Sequence, residues 1–276
     1  MTSLWALYLL TLRQHRHGKR WIVMTVLMLL PAAMALLVRL SAQDVPSRGL
    51  EFIFIFMFIP QALLPLAALI YASGIIQDEQ EEQTITYLLM RPISKWAIYL
   101  VKLAATLTTT VFIAVFFTCL TYAAVYAGAG KTGDNISVRC LTACGIHSLA
   151  IIAYCCIFGL MSLLTRRTLI VGILYIAIFE GLFANLPFGI RLITVIYYTR
   201  LVAYRTLSFI VPTPDGLQNI AADTWQLDIA HDPQLLQQPG IETCLLVLIG
   251  GSLLCALLAS FLCWNHEFHV KTPERV

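Results

Sequence analysis

The run QDEQEEQTITYLLMRPISKWAIYLVK, residues 77–102, is a charged island between two long apolar stretches. Asp78, Glu79, Glu81 and Glu82 crowd its start, an apolar patch follows, and Arg91-Pro92 closes it. Helical spacing puts Ile85, Leu88 and Leu89 on one face. The acids then line the start of that predicted helix, where carboxylates complement the macrodipole. Pro92 ends the helix, and Ser94 is a candidate cap for the next one. The pattern predicts a short amphipathic helix over 77–92, parallel to a membrane surface, then a sharp turn into an apolar span. By charge alone the same residues would make a solvated loop.

Outward from that island the chain is oily. Charged residues are 12% of the 276, apolar ones 59%, and mean hydropathy is +0.80. A soluble domain carries about 25% charged residues, so there is too little polar surface to cover a globule and the solvent must be largely lipid. Net charge is only +3, with basic residues gathered near the ends of apolar runs. That argues against nucleic-acid binding and for membrane topology.

Six candidate spans approach the ~20 residues needed to cross ~30 Å of hydrocarbon. They are 21–38, 52–76, 103–127, 141–164, 169–187 and 243–264, with Pro31, Pro60 and Pro65 expected to kink the first two. Before them, residues 3–17 read as an amphipathic helix lying on the cytosolic surface. The alternative is the first part of one long bent helix. With the N-terminus inside, Arg13, Arg16, Lys19, Arg20, Arg91, Lys95, Lys102, Arg166, Arg167, Lys271 and Arg275 fall on the cytosolic side. Arg39, Arg48, Lys131, Arg139, Arg191, Arg200 and Arg205 fall outside, and an even span number brings the C-terminus back to the cytosol. The fold expected is an all-α polytopic membrane protein forming one transmembrane domain over 1–276. Its long outer segment, 188–242, begins apolar with Arg191, Arg200 and Arg205 spaced along it. A re-entrant or surface-lying helix with snorkelling arginines fits that pattern better than a seventh span.

Several motifs carry no chemistry. GAGKT at 128–132 ends like a phosphate-binding loop, but Val125 stands where the motif needs glycine and the run follows a span. His266-Glu267-Phe268-His269 is not HExxH, His15 and His17 sit in a basic cluster, and His147 stands alone in a span as a helix–helix hydrogen bonder, so no metal site is expected. The eight cysteines include no CxxC pair. Cys140 and Cys144 stack on one helix face without disulfide geometry, and all eight read as small buried apolar residues. Asn135-Ile136-Ser137 formally fits a glycosylation sequon. Glu180 is the one carboxylate inside a span, about 20 Å past Arg167 at ~1.5 Å per residue. It reads either as a polar contact in a translocation path or dimer interface, or as a structural hydrogen bond or partner of Arg191.

The order Glu79-Gln80-Glu81-Glu82-Gln83-Thr84, then Leu88-Leu89, then Arg91-Pro92-Ile93-Ser94-Lys95, then Lys102, resembles the permease subunits of the type-2 ABC exporter family. Gln83 stands where that family commonly has glycine. The resemblance implies that 77–92 is a coupling helix between spans two and three, seated in a cleft of a separate cytosolic ATPase dimer. Glu79, Glu81, Glu82, Thr84, Leu88, Leu89, Arg91 and Pro92 would make the coupling contacts. It implies no cofactor in this chain, with ATP and Mg held by the partner ATPase, and no catalytic residue here. It also implies a second permease copy, contact with membrane lipids, and residence in a bacterial cytoplasmic membrane. Two other function classes share parts of this pattern. An intramembrane enzyme needs span aspartates, GxSG, GxGD or HExxH, and none is present. A scaffold or accessory component that docks a cytosolic partner without transport would use the same helix.

Overall fold

A computed structural model describes residues 2–41, 45–81, 94–128, 135–186, 189–213, 216–225 and 239–265. Among them, six helices are long and apolar enough to cross a membrane, and together they form an all-α polytopic bundle. The chain opens with α1 (Thr2–His17) and, after a break at Gly18, α2 (Lys19–Ser41). Next come Ser47–Glu51, the π-helical Phe52–Leu63, Leu64–Ala72 and Gly74–Glu81, separated only by the turn residue Ser73 and taken together as α3 (47–81). Then follow α4 (Lys95–Val125), α5 (Ile136–Leu164) and α6 (Thr168–Asn185). The outer segment holds a 3-10 turn (Gly189–Ile193), α7 (Val195–Thr206), the hairpin strands β1 (Ile210–Thr213) and β2 (Gly216–Asn219), and α8 (Ile220–Trp225). Helix α9 (Ile241–Asn265) closes the bundle.

Proline reshapes α3 in a way hydropathy does not reveal. Its ring crowds the carbonyl of residue i−4 and it lacks an N–H. Pro60 falls within the π-helical stretch, whose wider register moves that carbonyl off the ring, and Pro65 follows directly after that stretch, as the second residue of Leu64–Ala72. Pro31 lies buried inside α2. Helices α3 and α5 form the interior, with Ile55, Ile59, Leu64, Tyr71, Tyr154 and Phe158 all fully buried. At Gly172 of α6 an added Cβ would overlap Leu69, so the glycine lets α6 close on α3. Helices α2 and α9 turn Ile22, Leu37, Leu246, Leu253 and Phe261 outward, as lipid-facing surfaces do.

Contacts fix how the helices alternate. At one end, Arg20 of α2 binds Asp78 of α3, Gln77 binds Thr165 and Thr168 at the α5–α6 turn, and Cys263 of α9 reaches the Lys95 carbonyl of α4. At the other end, Arg39 of α2 binds the Val125 carbonyl of α4 and Ser47, and Glu51 of α3 binds Arg139 of α5. The first span therefore starts, and the last one ends, on the same face of the bundle.

Helix α1 is separate from α2. Tyr8 donates to Thr108 (3.1 Å), and His15, seven residues later, meets Thr106 (3.3 Å). Those positions stand ~10 Å apart along α1 and only ~3 Å apart along α4, so α1 crosses α4 at an angle. Helix α7 has 12 residues, about 18 Å and too short to span. It is buried from Val195 to Ala203, packed within the protein.

Candidate coupling site and the buried outer helix

Helix α3 leads into the acidic island. The helical piece that carries Asp78 begins at Gly74 and has no acid in its first turn, so Asp78, Glu79 and Glu81 do not line a helix start as the spacing predicts. Asp78 is balanced by a partner instead: Arg20 donates to both its carboxylate oxygens at 2.7 Å. A planar guanidinium matches a carboxylate in this two-point fashion. Gly74 makes it possible, because a Cβ there would overlap both the Arg20 guanidinium and the Asp78 carboxylate.

Two further anchors hold the same helix. The Gln77 amide donates to the Thr165 carbonyl (2.6 Å) and to the Thr168 hydroxyl (2.7 Å), gripping the turn between spans four and five. The buried Lys102 ammonium donates to the Ile75 carbonyl (3.0 Å). Lys102 thus serves span three's grip on span two. Ser94 sits in the N-cap position of α4, but its hydroxyl makes no capping bond. His15 packs its ring edge against Tyr71 at 5.2 Å. Burial first, then the charges of Lys102 and Arg20, lowers its pKa to about 4, against a smaller opposing pull from Asp78. The imidazole is therefore neutral at physiological pH.

Of the residues expected to contact the ATPase, Glu79 and Glu81 lie on the backbone of Gly74–Glu81. Their side chains, and Glu82, Thr84, Leu88, Leu89, Arg91 and Pro92, lie outside the described residues. What is described is the frame on both flanks: α3 pinned to α2, α4, α5 and α6 just before the island, and α4 starting just after it.

Glu180 occupies a different place. It is fully buried, and its two oxygens accept the backbone N–H groups of Val195 and Ile196, each at 3.1 Å. These amides open α7 and have no partner within that helix. Glu180 therefore caps α7 and meets its dipole. Arg191 is not its partner, but stacks over Tyr197 at 5.1 Å. Arg200, also buried, donates to Asn185 (3.0 Å) and Gln61 (3.2 Å) and lies over Trp225 at 5.9 Å. Arg191 and Arg200 thus do not snorkel.

The opposite end of the bundle holds a network that spacing does not announce. Glu51 is fully buried and accepts from Tyr122 (2.8 Å), Tyr126 (2.7 Å) and Arg139 (3.1 Å). Arg39 donates to the carbonyls of Val125 (2.7 Å) and Val45 (3.1 Å). His147 does pair across helices as expected, with Thr118 at 2.8 Å. A protein-family model described as ABC-2 family transporter protein matches residues 12–206, from within α1 to the last residue of α7. No curated protein matches the chain.

Proposed function

The chain belongs to the ABC-2 family of transporter proteins, and from that premise we propose that its 77–92 segment couples a separate cytosolic ATPase dimer to the membrane bundle. It is a multi-pass integral membrane protein and the permease component of an ABC transporter, a family whose members generally pair with an ATPase subunit. ATP and Mg belong to that partner. Glu79, Glu81, Glu82, Thr84, Leu88, Leu89, Arg91 and Pro92 form the docking face. The Asp78 end of the bundle faces the cytosol, two permease copies enclose the path, and substrate moves outward across a bacterial cytoplasmic membrane.

One observation supports this reading above the rest: the α3 end that enters the island is held by Arg20, Gln77 and Lys102 to four other helices. A push on a segment joined to a loose end would be absorbed locally. Here displacement of 77–92 must move α2, α4, α5 and α6 together or break the Gln77 and Lys102 hydrogen bonds and the Arg20–Asp78 pair, each worth about 1 kcal/mol. Glu180 enters through α7, as a positioning residue that keeps this buried helix seated at the outer part of the path. Charge bookkeeping supports the orientation, because Arg139 at the Glu51 end is spent on an internal ion pair.

The test reverses the charge of Glu79, Glu81 and Glu82 to lysine in the assembled transporter. Membrane insertion should be unchanged, while recovery of the ATPase with the permease and transport both collapse. A second variant, Asp78→Asn, should leave the ATPase bound but lower transport per ATP hydrolysed. If the triple lysine variant retains its ATPase and transports normally, the coupling assignment fails. If the ATPase docks through these acids but the parent complex moves no substrate, the accessory reading replaces it.

A further inference from the structure

Three thiols converge where α4 meets α5. Cys119 of α4 and Cys140 and Cys144 of α5 bring their sulfur atoms within 4.8 Å of one another. Cys119 lies 3.7 Å from Cys144 and 3.8 Å from Cys140, sulfur to sulfur, and all three are free cysteines. Cys140 and Cys144 are one turn apart on α5, so they share a face, and helix packing brings Cys119 onto that face from a position more than twenty residues earlier.

The spacing fits a single ion. Three sulfurs bonded to one metal at the usual ~2.3 Å stand about 3.8 Å apart in a tetrahedral arrangement and about 4.0 Å apart in a trigonal plane. Two sides of that triangle, Cys119–Cys144 and Cys119–Cys140, already have this length, and the third sulfur pair lies within 4.8 Å. Cys144 is buried, Cys140 half-buried and Cys119 exposed. The cluster also lies against the polar layer at the Glu51 end, since Tyr122 follows Cys119 by one turn and Arg139 precedes Cys140 directly. An ion arriving from water at that end meets thiols without crossing the apolar interior.

We propose that Cys119, Cys140 and Cys144 form a binding site for one Cu(I)-class cation, tying span three to span four at the end of the bundle opposite the coupling segment. Thiolate ligands select soft d10 ions. Among the described residues no histidine or carboxylate completes the group, and an all-sulfur set of three suits a three-coordinate monovalent ion, whereas Zn(II) ordinarily takes four ligands. Each sulfur that binds as thiolate releases its proton to solvent, and copper supplied as Cu(I) keeps its oxidation state.

The purified full chain in detergent, kept reduced, is titrated with Cu(I) against bicinchoninate as a competing chelator. One equivalent should bind, with a rise in the thermal unfolding midpoint. Cys119→Ser and Cys140→Ser should each lose the bound equivalent and the rise, while Cys255→Ser, on α9, keeps both. For variants that fold poorly, alkylation of the parent provides a second measurement: Cu(I) should protect Cys119, Cys140 and Cys144 and leave Cys255 reactive. Copper uptake equal in the parent and the Cys119→Ser/Cys140→Ser double variant overturns the proposal. So does uptake of Zn(II) without Cu(I), or a Cys119–Cys144 disulfide in the protein isolated without reductant.

Discussion

Glu180 shows how much a single residue settles in a bundle of this kind. Burying a carboxylate among apolar helices is costly unless its oxygens are satisfied. Two adjacent backbone N–H groups at the start of α7 do that, and the carboxylate in turn satisfies donors left orphaned by helix geometry. Replacing Glu180 with alanine should therefore cost about 1–2 kcal/mol, the range for losing a helix cap. Hydrogen exchange should show faster exchange at the Val195 and Ile196 amides. Glu180→Gln keeps one good acceptor and should fall between parent and alanine. If exchange at those amides is unchanged in the alanine variant, the capping role is wrong and Glu180 acts elsewhere. Its lone acidity in an apolar run flags Glu180 from sequence. Its partners are backbone groups more than a dozen positions on, which no side-chain motif encodes.

At the scale of elements, α1 is the piece whose attachment responds to conditions. It rests across α4 through Tyr8, His15 and Thr106, with His15 tucked against Tyr71 of α3. Docking holds the imidazole neutral, with its pKa lowered to about 4 by burial and by the charges of Lys102 and Arg20. The undocked helix would release it to the ordinary value of about 6.5. Between those values the undocked form binds the extra proton, so docking weakens as pH falls from about 6.5 towards 4 and is insensitive to pH above that window. Limited trypsin cleavage at Arg13 and Arg16 in nanodiscs should accelerate on acidification through that range. His15→Gln, which keeps a hydrogen-bonding side chain without the titration, should cleave at a pH-independent rate after correction for trypsin itself. A parent protein whose cleavage is equally flat would remove His15 as the cause.

Other elements bear on what spacing alone can convey. Helix α7 carries arginines that suggest snorkelling, yet Arg200 is buried on Asn185, Gln61 and Trp225. Amphipathic spacing could not show this, because those partners come from three other elements. Similarly, the acids after Gln77 look like a helix start when read forward from the island. They belong to a helix already under way from Gly74, since hydrophobic periodicity marks faces better than ends.

Across the whole molecule the two ends are built differently. At the Asp78 end the ion pair is half-exposed: Arg20 and Asp78 have side chains about 40% and 39% exposed, so the pair contributes at most about 1 kcal/mol to stability. The Glu51 end is closed by a buried pair, with Glu51 wholly covered and Arg139 nearly so. Removing one member of a buried pair costs about 3–5 kcal/mol, because the other charge is left uncompensated. Glu51→Gln should therefore lower the unfolding midpoint far more than Asp78→Asn does, and Glu51→Gln with Arg139→Gln should recover much of the loss. Equal losses for Glu51→Gln and Asp78→Asn would refute this asymmetry.

Sequence by itself determined the membrane class, the six spans, a helix before them and the family that residues 77–102 resemble. Those properties are local: hydropathy accumulates along a run of about twenty residues, and a motif occupies one stretch of chain. Only the tertiary structure decided that Glu180 caps α7, that Glu51 gathers two tyrosines and an arginine, that Arg20 and Lys102 clamp the helix entering the island, and that Cys119 joins Cys140 and Cys144. Each of those partnerships depends on how far a helix is rotated about its axis and where it crosses its neighbour. That is set by the packing of whole faces against one another, and neighbours in the chain do not record it.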